Sequence, residues 1–472
     1  MIKRFYATKD NTITNAFEEN LETRGTGSNM GASDILEVFS IYNQVSNSSG
    51  ISSELARVLI EFDPDFSQVP SSGVSWFLKM YNAPHSQTVP SNFTMTISAV
   101  SQSWEEGYGI DMDSYLDLTN GGTGSNWIQR IHSSSADDGQ WESPGGDYRA
   151  EYVKTQTFLT GLEDLEVNVT DIVNQWSGSS PTWENYGFGI SLTGSQETQD
   201  KSYFTKKFFA RQSEFHYQKP VLEARWDSAR RDDRGSFYAS SSLAPAADNM
   251  NTLFLYNRIR GRLRNIPAVG TNDIEVSLFD SAGGTQLGVT FTGSYVSTGI
   301  YSCDVSASTT STSLVDVWHS GGVEYFTGSL SVKTFSSKGY NPEDTYVLSM
   351  PSLRKEYRKN QTHRLNLYVR EKNWSPNIHT LATRSSIPSI TIPSASFQLR
   401  RCIDNHIVIA YGTGSDSGPA FTSLSYDVSG NYFNLDTTNL ETGYLYDVQY
   451  SFYDEENGWE EQPYRFKFRV VD

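Results

Sequence analysis

SYDVSGNYFNLD, residues 425–436, contains two short runs of alternating polar and apolar residues on either side of Ser429-Gly430. Side chains that alternate with a period of two point to opposite faces of an extended strand, and a central Ser-Gly pair is typical of a tight turn. The stretch therefore predicts a β-hairpin. Comparable runs, bounded by Gly, Pro, Ser or Asn, recur at 56–63, 75–83, 92–101, 165–173, 187–194, 219–226, 273–280, 314–322, 363–372 and 464–472.

The composition agrees with strands rather than helices. Aromatic residues make up 13% of the chain and charged residues 19%, and aromatic side chains suit pleated, half-buried surfaces. No window keeps a 3.6-residue apolar stripe for three turns, so we expect few helices, with candidates at Ser53–Val58 and Asp171–Trp176. The sequence predicts an all-β protein.

A chain of 472 residues is too long for one hydrophobic core. Boundaries are expected in the charged segment near 226–236 and in SSKGYNPED at 336–344. These two boundaries separate three sets of strand signals, which predict domains at 1–226, 237–336 and 345–472. We expect the last two to be β-sandwiches of the immunoglobulin-like kind.

The net charge of −18 is concentrated in residues 1–226, where 15 Lys and Arg stand against 29 Asp and Glu. So acidic a chain repels phosphate backbones and is not expected to bind nucleic acid. The N-terminus lacks the apolar region of a signal peptide, and no stretch has the length of a membrane span, so we expect cytoplasmic synthesis and no membrane. We interpret Cys303 and Cys402 as reduced thiols that pack as small apolar groups, with a disulfide between them as the alternative.

Motifs for catalysis are missing from the sequence. It has no GxSxG elbow, phosphate-binding GxxxxGK[ST] loop, HExxH or CxxC, and the seven histidines are scattered. We therefore expect a protein that is not an enzyme and that carries no cofactor.

Calcium is the one ion that the sequence suggests. Asp111, Asp113 and Asp117 are spaced along a Gly-rich loop and could supply hard oxygen ligands. The spacing lacks the DxDxDG pattern of a calcium loop, so the favoured interpretation is a solvated acidic loop.

Aromatic residues crowd the region 104–148 among Gly, Ser and Asp. Flat rings beside carboxylates can stack on sugars, and aromatic loops also serve protein interfaces. The favoured interpretation is that the rings pack the loop onto the sandwich or contact a partner, with a sugar-binding face as the alternative. The residues concerned are Trp104, Tyr108, Tyr115, Trp127, Trp141 and Tyr148.

Arginines alternate in YNRIRGRLRN, at Arg258, Arg260, Arg262 and Arg264. On one continuous strand they would form a basic face, with Ile259, Gly261 and Leu263 on the other. We interpret this stripe as either a solvated face or a docking site for an acidic patch on a neighbouring subunit.

Residues 1–226 resemble the DNRLRE-type domain, a jelly-roll β-sandwich related to carbohydrate-binding modules. The resemblance rests on segments that keep the family's order, and an insertion at about 107–150 departs from it. These segments are TKDNTITNAF, GTGSNMGASDILEVF, RVLIEFD (57–63), SWEEGYG (103–109), VTDIVNQW (169–176), NYGFGISL (185–192), FFARQSEFH (208–216) and KPVLE (219–223).

Residues 237–472 are similar to the tandem sandwich modules in structural proteins of T4-like, especially marine, tailed bacteriophages. LSYDVSGNYFNLDTTNLETGYLYDVQY and the final YRFKFRVVD carry this likeness. It implies a non-enzymatic virion protein, peripheral to the neck, collar or tail, that docks to other virion proteins and to symmetry copies of itself. The alternative is a host-adhesion protein that binds surface glycans through the 104–148 loop.

Overall fold

The computed structural model describes residues 1–18, 20–47, 50–85, 90–110, 124–132, 139–178, 180–199, 203–334, 345–374, 378, 389–412, 421–454 and 457–472. The chain divides into two compact units, Met1–Trp226 and Asp227–Asp472. Strands make up most of the regular structure in both, which confirms the predicted all-β sandwich class. Among the helices in the ranges just given, none is long and apolar enough to cross a membrane.

The described residues of the N-terminal unit form antiparallel strands and two short α-helices. Its strands are β1 (Ile2–Thr14), β2 (Ile35–Asn47), β3 (Gly50–Phe62), β4 (Ser75–Met80), β5 (Phe93–Ala99), β6 (Lys154–Phe158), β7 (Leu165–Asn168), β8 (Phe188–Leu192), β9 (Tyr203–Phe209) and β10 (Val221–Arg225). The helices are α1 (Thr170–Trp176) and α2 (Gly194–Glu197).

Strand β1 belongs to both layers of this sandwich. Its first part, Ile2–Tyr6, pairs with β10, and after a register shift at Ala7/Lys9 its second part pairs with β3. The order along the sheet is β6-β5-β8-β3-β1-β10-β4-β7, and β2 joins β3 to β9. A long strand that passes from one layer to the other lets a single sheet close around one core.

The core follows from the two-residue period that the sequence shows. In β4 the side chains of Trp76, Leu78 and Met80 are buried, whereas those between them are only partly covered. On the neighbouring strands β5 and β6, the directly paired Phe93 and Phe158 stack with their ring centroids 5.1 Å apart. Helix α1 adds its own apolar side chains to the same cluster.

In the C-terminal unit the middle sandwich is one seven-stranded sheet whose two halves enclose a common core around Trp318. A separate two-stranded hairpin, β13–β14, accompanies it. The strands are β11 (Phe237–Tyr238), β12 (Asn251–Tyr256), β13 (Arg258–Ile259), β14 (Arg262–Leu263), β15 (Ile274–Phe279), β16 (Gln286–Ser297), β17 (Ile300–Val305), β18 (Ser313–Ser320) and β19 (Val323–Lys333).

The last sandwich has one sheet in the order β20-β22-β26-β25 and another in the order β21-β29-β27-β23-β24, with β28 beside β27. Phe397 and Phe433 stack between the sheets at 4.1 Å. The strands are β20 (Tyr346–Ser349), β21 (Glu356–Arg358), β22 (Thr362–Glu371), β23 (Ala395–Arg401), β24 (Ile407–Ile409), β25 (Ser425–Asp427), β26 (Gly430–Asp436), β27 (Leu445–Asp454), β28 (Gly458–Glu461) and β29 (Phe466–Val471).

Three local predictions can be compared with these elements. The hairpin around Ser429-Gly430 is confirmed as β25–β26, with Asp427 opposite Gly430. The helix expected at Asp171–Trp176 is confirmed within α1. The helix expected at Ser53–Val58 is wrong, because this segment lies within β3, where pairing with β1 and β2 outweighs the local helical signal.

Candidate functional site

The described parts of the aromatic region 104–148 pack against the outside of the N-terminal sandwich. Trp104, Trp127 and Trp141 are only 2%, 6% and 4% exposed. They form a second apolar cluster with Ile13, Leu55, Leu59 and Val100. The Trp104 Nε1–H donates to the carbonyl of Tyr186 (2.9 Å), and the Trp141 Nε1–H donates to the carbonyl of Asn126 (3.0 Å). These three indoles therefore anchor the loop, and they are not available as a sugar-stacking face.

The tyrosines of the region behave differently from one another. The Tyr148 hydroxyl donates to the carbonyl of Gly145 at 2.8 Å, and burial raises its pKa to about 12. Tyr108 is 76% exposed. Tyr115 lies outside the described residues. Of the five predicted contact residues that the structure describes, Tyr108 is therefore the ring that is presented to solvent.

Asn29 fixes the start of this loop through hydrogen bonds, and this role was not predicted from the sequence. Its Oδ1 accepts hydrogen bonds from the backbone N–H groups of Gly31 (3.2 Å) and Gly109 (2.8 Å). Its Nδ2 donates to the carbonyls of Glu106 and Ser125, both at 2.8 Å. A Cβ at Gly109 would lie 1.9 Å from the Asn29 carbonyl oxygen, so only glycine fits there. A buried asparagine between glycine-rich segments is the signal that could have located it.

Beside Tyr108 the loop forms an open cleft of about 380 Å³, which is lined by Lys9, Trp104, Glu105, Glu106, Gly107, Tyr108 and Gly124. The Lys9 Nζ lies 5.8 Å from the centre of the Trp104 ring and 3.0 Å from the Glu61 carboxylate. An exposed ring next to a few charged groups is an arrangement that can hold a polar ligand.

The carboxylates near this cleft are engaged in separate structural contacts. Glu106 receives two hydrogen bonds from the Arg211 guanidinium, at 2.5 and 2.6 Å. Glu105 Oε2 lies 3.3 Å from the backbone N–H of His132. Neighbouring residues that turn to different partners do not form the convergent pair that acid–base chemistry requires.

Asp10 lies behind Glu106 and is fully buried. Its Oδ2 accepts a hydrogen bond from the backbone N–H of Arg211 at 2.6 Å. Within the part of the chain that the structure describes, its Oδ1 has no hydrogen-bond partner. Burial raises the pKa of Asp10 to about 7, against the effects of the Arg211 backbone N–H and guanidinium. Asp10, Glu106 and Arg211 thus form a closed cluster that ties β1 to the loop.

The calcium hypothesis is not addressed by the structure, because Asp111, Asp113 and Asp117 lie outside the described residues. Among the residues that are described, no group of three or more His, Cys, Asp or Glu side chains is arranged to hold a metal ion. Cys303 and Cys402 are both free thiols. Burial raises the pKa of Cys303 to about 12, so it packs as a small apolar group.

The arginine stripe takes a different form from the expected continuous strand. Arg258 and Ile259 in β13 pair with Leu263 and Arg262 in β14, and Arg260 with Gly261 forms the turn. Residues directly opposite each other in a hairpin share a face, so Arg258 and Arg262 lie on opposite faces. The predicted single basic face is therefore wrong. The reason is that Gly261 allows the chain to reverse at this point.

Ser277, His319 and Glu275 form a hydrogen-bonded series that motif analysis missed. The Ser277 Oγ lies 2.9 Å from His319 Nε2, and His319 Nδ1 lies 3.2 Å from Glu275 Oε2. The order is that of a serine nucleophile, its base and an orienting acid. Ser277 is only 2% exposed, however, and sits in β15 between β16 and β18. Because Glu275 and His319 are directly paired between β15 and β18, the series links these two neighbouring strands.

Comparisons with known proteins do not place the chain in a family. No family model matches it, and no curated protein matches it. The adhesin InvE of Yersinia pseudotuberculosis shares 12% identity over 50% of this chain and 57% of its own, with a TM-score of 0.16. The chain thus spans little more than half of that adhesin.

Two further solved structures show the same level of similarity. The Ig1-2 module of the Drosophila receptor protein tyrosine phosphatase DLAR shares 9% identity over 48% of this chain and 91% of its own, with a TM-score of 0.15. Salmonella alpha-2-macroglobulin shares 7% identity over 99% of this chain and 26% of its own, with a TM-score of 0.16.

Proposed function

We propose that this chain is a non-enzymatic structural protein of a tailed bacteriophage particle, a peripheral component of the neck, collar or tail that docks to other proteins. The observation that carries the docking role is the set of four exposed arginines around β13 and β14. Among the described residues, no carboxylate forms an ion pair with any of them. Exposed, unpaired charge of one sign in an acidic chain is suited to pairing with an external partner.

The ion pairs inside the N-terminal unit support the same proposal. Glu106 forms an ion pair with the Arg211 guanidinium, and Arg4, Glu223 and Arg225 form a second, buried ion-pair series with distances of 2.8 and 2.6 Å. These groups bind strands and loops together. They make the fold rigid, and a protein that presents fixed docking surfaces requires such rigidity.

Particle composition tests the proposal. Phage particles purified by density gradient are expected to contain this chain at a fixed ratio to the major structural proteins, because a structural component occupies symmetry-defined positions. Quantitative mass spectrometry of particles, before and after a high-salt wash, measures that ratio. A variable ratio, or absence of the chain from infectious particles, would contradict the assignment.

A carbohydrate-binding adhesion protein is the second candidate, and the cleft beside Tyr108 is the observation that favours it. This function predicts that a glycan array retains the chain and that Tyr108→Ala reduces the retention about two- to tenfold, since stacking on one ring contributes roughly 0.5–1.5 kcal/mol. Phe215→Ala, a change at another exposed ring of the same unit, serves as the control and should bind normally. Retention unaffected by Tyr108→Ala would remove the cleft as a sugar site.

A further inference from the structure

The arginine hairpin, defined as residues 257–264, is built as a rigid projection. Arg260 and Gly261 both have positive φ, 51° and 78°. Two consecutive residues in this region form a type I′ turn, whose twist matches that of the paired strands. Nothing lies within 4 Å of a Cβ built on Gly261, so the glycine is there for its backbone conformation rather than for space.

Hydrogen bonds fix the base of the hairpin to the middle sandwich. The backbone N–H of Asn257 donates to the carbonyl of Gly299 (2.8 Å), and that of Gly299 donates to Asn265 Oδ1 (2.7 Å). Across the base, the Arg264 N–H donates to the Asn257 carbonyl (3.0 Å), and the Asn257 Nδ2 donates back to the Arg264 carbonyl (2.6 Å). A fixed base means that little backbone conformational entropy is lost when the tip binds a partner.

Both faces of the hairpin and its tip carry positive charge. Arg262 and Arg264 lie on one face, Arg258 on the other, and Arg260 in the turn, and all four side chains are exposed. The side chain of Ile259 is 49% exposed between them. An apolar residue surrounded by guanidinium groups is an arrangement that protein interfaces use, because arginine forms bidentate bonds to carboxylates.

We propose that the arginine hairpin docks onto a carboxylate-rich surface of a second copy of this chain. This rests on the proposed docking function and adds the partner to it. Charge complementarity supports the choice: residues 1–226 have a net charge of −14, from 15 Lys and Arg against 29 Asp and Glu. Every copy brings this excess of carboxylates with it. Nucleic acid also binds arginine, and the experiment below includes a DNA oligonucleotide to distinguish it from a second copy of the chain.

Sedimentation velocity of the full chain tests this docking. At about 50 mM salt, wild type is expected to associate with increasing concentration, and at about 500 mM the association should weaken at least tenfold because the charges are screened. A variant with Arg258, Arg260, Arg262 and Arg264 all changed to Ser should lose at least tenfold in association affinity at low salt. A variant with Arg354, Lys355 and Arg358 changed to Ser removes exposed charge elsewhere and should associate like wild type.

Three outcomes would overturn the docking proposal. They are a monomeric wild type at all concentrations up to about 100 μM, unchanged association of the four-arginine variant, and binding of a double-stranded DNA oligonucleotide that this variant abolishes. A circular dichroism melt equal to that of wild type confirms that each variant is folded. A monomeric chain that is nevertheless a fixed component of particles would refute the self-docking and leave the proposed function standing.

Discussion

Trp127→Ala is expected to lower the free energy of unfolding of the N-terminal unit by about 3–5 kcal/mol, because it removes a large buried side chain and leaves a cavity. The indole is 6% exposed and lies in the cluster with Trp104 and Trp141. The Arg57 guanidinium carbon sits 5.1 Å from the centre of its ring. Denaturant unfolding of the full chain, followed by tryptophan fluorescence, measures the change.

Tyr108→Ala is the matched control for this prediction, since it removes an aromatic ring from the same loop at a position that is 76% exposed. Surface changes of this kind typically alter stability by less than about 0.5 kcal/mol. If Trp127→Ala left stability unchanged and abolished glycan binding, the ring would be a ligand contact and the packing described above would be incorrect.

Lys206→Met is expected to destabilise the same unit by about 2–4 kcal/mol, because buried acceptors lose their donor. Lys206 is fully buried in β9. Its Nζ donates to Asn82 Oδ1 (2.6 Å) and to the carbonyls of Gly161 and Glu163, both at 2.8 Å. Methionine has a similar length but cannot donate a hydrogen bond, so all three oxygens would be left without this partner.

The pH dependence gives this prediction a second readout. Burial lowers the pKa of Lys206 from 10.5 to about 8, so between these values the folded chain binds fewer protons than the unfolded chain. The free energy of unfolding of wild type therefore gains a contribution that rises with pH, by at most about 1.4 kcal/mol per pH unit. This contribution should be missing in Lys206→Met and kept in Lys207→Met, which alters the partly exposed neighbour. Equal slopes in wild type and Lys206→Met would show that Lys206 titrates normally.

The strands were largely predictable because their signals are local. The alternation in 75–80 places Trp76, Leu78 and Met80 on one side of β4 whatever the rest of the chain does. The helix prediction at Ser53–Val58 failed for the opposite reason. Its apolar spacing suits a short helix, but β1 and β2 provide pairing partners that are distant in sequence.

The candidate site was predictable only as a region. Aromatic density marked residues 104–148, whereas the direction of each ring depends on partners such as Ile13 and Leu55, which are far away along the chain. The role of Asn29 and the contact between Ser277 and His319 were not predicted for the same reason. Ser277 and His319, for example, are 42 residues apart in the chain. Contacts of this range leave no periodic trace in a single sequence.

Period-two patterning and turn residues, which act between close neighbours, were sufficient to establish that this chain is an all-β protein with an acidic surface. Gly261 shows the influence of such close neighbours, because this one residue allows the expected arginine strand to form a hairpin. Packing of distant segments decided which rings are buried, which carboxylates are paired and which arginines remain exposed. Burial and ion pairing stabilise the fold only where side chains are in contact. These contacts form only once strands that are remote in sequence have come together.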